Sequence, residues 1–165
     1  MKNNRSNEAR LLIGLIEEAY RLRAWHGPNL KGSFRGISAR EAAWRPSKDR
    51  HNIWEFVLHT AYWKYAVRRR LTGEKMRSFP LQGSNFFRRP VSLTERAWRD
   101  DIRILEDQHR LLIGAVRAHL PGRLAKGVSA AERKRTIRFL YGIAFHDVYH
   151  AGQIRLLRRM AGKKR

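Results

Sequence analysis

The sequence predicts an all-α protein, a four-helix bundle, and three observations point that way. Apolar residues recur at steps of three and four in four separate stretches, the period of helices that each bury one face. A small polar residue followed three positions later by Glu recurs at Ser38/Glu41, Ser92/Glu95 and Ser129/Glu132, the spacing of a capping box at a helix start. No stretch alternates apolar and polar residues as a half-buried strand would.

The first helix is predicted over residues 6–25, with Leu11, Leu12, Leu15, Ile16, Ala19, Tyr20 and Leu22 on its apolar steps. It ends where Gly residues and Pro28 gather between His26 and Ile37. Ser38 and Glu41 then open a short helical turn that Pro46 closes. Asn52 with Glu55 starts the second long helix, which places Phe56, His59, Trp63 and Ala66 on one face and stops at Gly73. Residues 73–91 hold Gly73, Pro80, Gly83 and Pro90 without a period and read as a long loop with some extended character. Ser92 opens the third helix, whose seam is Trp98, Ile102, Leu105, His109, Leu112 and Val116 before Pro121 and Gly122. Ser129 opens the fourth, which carries Phe139, Ile143, Leu157 and Met160 as far as Gly162 and is followed by a basic end, Lys163, Lys164 and Arg165.

At 165 residues, 42% of them apolar, the chain is long enough for one folded domain spanning 1–165. The longest apolar run near the start, Leu11 to Ile16, is far short of the roughly 20 residues of a bilayer span, and Met1 to Arg10 is too polar for a secretory signal. The expectation is a cytoplasmic protein without a membrane partner. Absence of Cys removes disulfides, thiolate catalysis and thiolate metal sites, so a metal must be held by His, Asp or Glu. The net charge of +22 raises nucleic acid as a partner, since basic proteins accumulate on phosphates. Against a dedicated interface, the 27 Arg are spread over nearly every segment.

His146 and His150 are four residues apart, one turn above one another on a single helix face. That spacing lets two imidazoles share one divalent ion. The pair lies on the apolar side of the fourth helix, where unpartnered imidazoles are costly to bury. A third ligand is needed. His59, on the apolar face of the second helix, is the first candidate; His109, in the seam of the third, competes as ligand or supporting partner. Gln153 shares the face of the His pair and can hydrogen-bond an imidazole or a substrate, and Glu55 lies four before His59 but fits position N3 of a cap better. Asp147 is turned about 100° from the ligand face and reads as a rim or helix-partner carboxylate. Gly152 reads as a point of close helix contact. Arg68, Arg69 and Arg70 complement the dipole at the end of the second helix. Arg88 and Arg89, beside Phe86 and Phe87 in the long loop, suit an anionic ligand or a single-stranded base.

The stretches Trp54-Glu55-Phe56-Val57-Leu58-His59 and Phe145-His146-Asp147-Val148-Tyr149-His150-Ala151-Gly152-Gln153-Ile154, with Arg45-Pro46 before them, resemble the signature regions of the DinB-like/YfiT-like metalloenzyme superfamily. The match is most specific at the HxxxHxGQI string starting at His146. The resemblance implies a four-helix bundle, often dimeric, with one divalent ion on His59, His146 and His150. It also implies a small-molecule substrate, with thiol-dependent S-transferases that use low-molecular-weight thiols among the relatives. Three imidazoles and an open position suit zinc or nickel, with iron or manganese also compatible. Such a site supports hydrolysis or thiol transfer, because a bound water or thiol loses its proton more readily. The alternative is a non-enzymatic basic helical module that binds nucleic acid and keeps a structural or vestigial metal site.

Overall fold

A computed structural model describes residues 2–75 and 79–162. The basic end Lys163–Arg165 and residues 76–78 of the long loop lie outside the described residues. Six helices follow in order: α1 (Lys2–Tyr20), α2 (Leu30–Ser33), α3 (Ala39–Ala43), α4 (Ile53–Thr72), α5 (Glu95–Arg123) and α6 (Ala130–Gly162). Among the described residues there is no strand, only an isolated bridge between Ala24 and Gly27. The four long helices form the bundle. α4 packs along α5 and α6, α1 lies against α6 and more loosely against α5, and α2 and α3 close one end. No described helix is long and apolar enough to cross a membrane.

α4 is the central helix: every residue from Asn52 to Ala61 is buried. Asn52 caps it by accepting the Glu55 N–H at 2.8 Å, and Gly73 ends it in the left-handed region at φ 80°, where a residue without Cβ is favoured. The core falls into two apolar clusters. One holds Trp54, Leu58, Trp98, Leu105 and Ile154; the other holds Ile16, Val67, Leu112, Leu120 and Leu140. Each long helix also carries a buried polar residue near the junction of the clusters: Glu17 on α1, Lys64 on α4, His109 on α5 and Asp147 on α6. These pair as Lys64–Asp147 and His109–Glu17, so a polar belt crosses the bundle where burial demands partners.

Several expectations are corrected. The first helix stops at Tyr20 rather than 25, and its buried line is Leu12, Ile16, Ala19 and Tyr20. Leu11 and Leu15 are exposed because they lie on the outer side of that line, and Leu22 is exposed beyond the helix end. The Gly-rich stretch contains α2, started by Asn29, whose side chain accepts the Gly32 N–H at 2.7 Å. Ser38 and Glu41 do form a complete capping box. The cap of α5 is Thr94, not Ser92, and Glu95 reaches away to accept the Ala39 N–H at 2.7 Å. Ser129 accepts the Glu132 N–H at 3.2 Å, but the Glu132 carboxylate pairs with Arg123 instead of closing the box. α5 runs through Pro121 and Gly122 to Arg123. The described part of the long loop has no extended ladder. Met160 is 40% exposed, having turned away from the buried line through Ile143, His150 and Leu157. A Cβ on Gly152 would meet nothing within 4 Å, so it marks no close helix contact; it sits on the exposed side of α6.

Candidate metal centre

Two long helices bring three imidazoles together: His59 from α4, and His146 and His150 from successive turns of α6. One ring nitrogen from each lies within 4.8 Å of the others. The His146 Nε2 is 3.1 Å from the Nε2 of His59 and 3.1 Å from that of His150. Aromatic side chains wall the group. Phe86 stacks on His59 at 4.0 Å, Phe56 and Tyr149 lie about 5 Å from the His150 ring, and Trp63 stands 6.0 Å from His146.

The outer nitrogens decide the proton positions. The Nδ1 of His59 is 3.1 Å from the Asn85 carbonyl oxygen, which only accepts, so that nitrogen carries the proton and Nε2 keeps a lone pair. His150 Nδ1 is 2.6 Å from Gln153 Oε1, whose amide nitrogen donates to the Tyr149 hydroxyl at 3.2 Å. Its Nε2 therefore also presents a lone pair. A neutral His146 has at most one proton on Nε2 and cannot serve both neighbours. At least one close pair then consists of facing lone pairs, which a cation between them would relieve. The 3.1 Å spacings approach the roughly 3.3 Å edge of a tetrahedron with metal–nitrogen bonds of about 2.0–2.1 Å. On donor chemistry and on spacing, the residues fit a divalent ion.

Electrostatics agree. Burial, with neighbouring His and Lys64 charges adding to it, pushes His146 down to about 3, and burial with the His150 charge pushes His59 down to about 4. Burial lowers His150 as well. The rings are thus neutral at physiological pH, the form that ligates a metal.

Of the supporting residues expected from sequence, Gln153 stands against His150. Glu55 does not stand beside the imidazoles. Its carboxylate takes the Arg45 guanidinium at 2.5 and 2.9 Å, His51 Nδ1 at 2.8 Å and the Arg89 N–H at 3.1 Å. Burial raises Glu55, but these donors outweigh it and hold the carboxyl below its usual range. His109 is no ligand in this arrangement: it stacks on Tyr20 at 3.9 Å and reaches Glu17 at 3.3 Å within the polar belt. Of the two readings of Asp147, the helix-partner carboxylate holds and the rim does not: it is fully buried and paired with Lys64, because the turn away from the ligand face aims it at α4. Arg68 is likewise buried, paired with Glu74 at 2.7 Å. Arg89 is committed to Asp101 at 2.7 Å, which leaves Arg88 as the exposed cation of that pair.

Asn85 is the site residue that sequence reasoning missed. Its backbone sits at φ 64°, the one non-Gly residue at positive φ among those described, a conformation that Asn tolerates better than most residues. That turn lets its carbonyl meet His59 while its side-chain oxygen accepts the Trp63 Nε1–H at 3.0 Å. The only sequence signal was an Asn after Gly83 and Ser84 in a long loop. His51, just before the α4 cap, stacks on Phe86 at 3.7 Å.

A helical bundle with three neutral imidazoles converging from two of its long helices fits a class of protein, the bundles whose facing core side chains can hold a metal. The chain belongs to the DinB superfamily, which it matches over residues 24–154. No curated protein and no solved structure matches it.

Proposed function

We propose that this DinB superfamily protein binds one divalent ion, zinc or nickel in preference to iron or manganese, through Nε2 of His59, His146 and His150, and uses it as a metal-dependent hydrolase or thiol-dependent S-transferase on a small molecule in the cytoplasm. The observation that carries the reading is the convergence of three Nε2 atoms, two of which, on His59 and His150, are left with lone pairs because Asn85 and Gln153 take the protons on the far side. When bound, the ion supplies Lewis acidity and favours the deprotonated form of a ligated water or thiol. The chain's own residues do the rest. Asn85 and Gln153 orient two rings, Phe56, Phe86 and Trp63 keep the surroundings apolar, and among the described residues no carboxylate stands against the imidazoles to act as a built-in base.

Elemental analysis of untagged protein tests this. The expected result is close to one divalent ion per wild-type chain and almost none in the His146→Ala/His150→Ala variant, followed by screens of hydrolytic and thiol-transfer reactions on the loaded protein. Equal, negligible metal in both after reloading with zinc and nickel overturns the reading. A homodimer belongs to the same proposal: α6 leaves Tyr141, Phe145, Tyr149 and Leu156 exposed along one line, and sedimentation equilibrium decides whether a second chain covers them.

A further inference from the structure

A recess of about 590 Å³ lies on the far side of Phe86 from His59. Its cations come from two separate loops: Lys48 and Arg50 from the turn 47–50, and Arg88 from the long loop. Arg45 fastens these loops to each other. Its Nη1 donates to the Arg50 carbonyl at 2.8 Å and its Nη2 to the Arg89 carbonyl at 2.9 Å, with the buried Glu55 carboxylate behind it. The loop wall is held further by Asn52, which donates to the Arg89 carbonyl at 2.8 Å, and by the Arg89–Asp101 pair. The turn is closed by the Arg50 N–H on the Ser47 carbonyl at 3.1 Å.

The charges at this place do not cancel. Glu55 is satisfied by Arg45 and His51. Among the described residues Lys48, Arg50 and Arg88 have no acidic partner, and Asp49 is the one other carboxylate of the recess. Three cations face one carboxylate, on walls held in place without any contribution from those three side chains. Some other cations are spent on neighbours, as in Arg110–Asp107 and Arg123–Glu132, and many are not; what distinguishes these three is that they converge on one recess from two loops that Arg45 ties together. Preorganised walls lower the ordering cost that flexible surface cations otherwise incur on binding.

We propose that this recess is an oxyanion-binding subsite, taking a carboxylate or phosphate group of the small molecule whose reacting end meets the three imidazoles. The assignment of the reacting end rests on the metal-centre reading. The two places are separated by one ring, Phe86, which stacks on His51 at 3.7 Å and on His59 at 4.0 Å. A substrate of two or more functional groups, one anionic and one electrophilic or thiol-bearing, spans such a separation.

Backbone amide NMR titration at about 0.15 M salt, where the screening length is about 8 Å, tests the subsite with inorganic phosphate and with succinate as probes. Wild type is expected to show saturable shifts confined to residues 48–51 and 86–88. The Lys48→Ala/Arg88→Ala variant should weaken binding at least tenfold, while Arg117→Ala/Arg138→Ala, which removes the same charge elsewhere, should change it less than twofold. Phosphate saturating alone, or succinate alone, identifies the anion and supports the subsite either way. Equal loss in both variants, shifts spread over the whole surface, or no saturation with either probe overturns it. Metal content of the same samples judges the three-His reading separately: full loading without anion binding removes the subsite and leaves the centre.

Discussion

Gln153 shows how one side chain bears on the site. It accepts from His150 Nδ1 at 2.6 Å and so fixes the tautomer that leaves Nε2 free. It is half-buried at the edge of α6, so replacing it removes an orienting partner without opening the core. Gln153→Leu is expected to weaken divalent binding by about 10–100-fold, the usual effect of losing such a partner, with the unfolding midpoint little changed. Gln153→Glu keeps an acceptor in place and should retain affinity within a few fold. Competition against a chromophoric chelator reads both; wild-type affinity in the Leu variant would refute the orienting role. Asn85 acts through its backbone carbonyl, so side-chain truncation there removes the Trp63 contact and also strains the φ 64° turn that aims the carbonyl at His59.

Between elements, the decisive contact is Lys64–Asp147, which joins α4 to α6 one residue from His146 with both side chains fully buried. Burial pushes the ammonium down and the carboxyl up, against their mutual attraction. Removing one partner strands the other, whereas replacing both with apolar groups does not. Lys64→Met is therefore expected to destabilise by about 3–5 kcal/mol, and Lys64→Met/Asp147→Leu by clearly less. Urea unfolding of both variants measures this; a double variant as unstable as the single would show that packing, not the stranded charge, sets the loss. The same contact marks where sequence reasoning stops. Helical periodicity exposed the bundle and the faces of His59, His146 and His150, because core positions repeat along one helix. It could not show Lys64 meeting Asp147 or Glu95 reaching Ala39, since such pairs are set by how helices dock. Caps were legible where the acceptor is local, as at Asn52, and misplaced by two residues at Ser92, where Thr94 takes the role. The loop partner of His59 was beyond reach for the same reason: a backbone carbonyl carries no residue signature.

For the whole molecule the governing quantity is the +22 charge. The carboxylates of Glu17, Glu55, Asp101 and Asp147 are already committed to cations or His, so the excess consists of exposed cations that repel one another. Two effects of salt then oppose. Screening weakens surface pairs such as Lys31–Glu106, each worth about 0–1 kcal/mol, and it also relieves the self-repulsion of the compact state. With cations in such excess, relief wins. Tm is expected to rise as NaCl goes from about 0.01 to 1 M, over which the screening length falls from about 30 to 3 Å. Oligonucleotide binding should move the opposite way under the same salt, losing affinity along a straight line in log K against log salt with no preference among sequences, because phosphate contacts alone release counterions. Calorimetry and fluorescence anisotropy along one salt series measure the two responses. A basic module evolved for nucleic acid would instead hold a preferred sequence at about 0.2 M salt, since base contacts do not screen away with the phosphates; that outcome would move the function from the imidazoles to the surface.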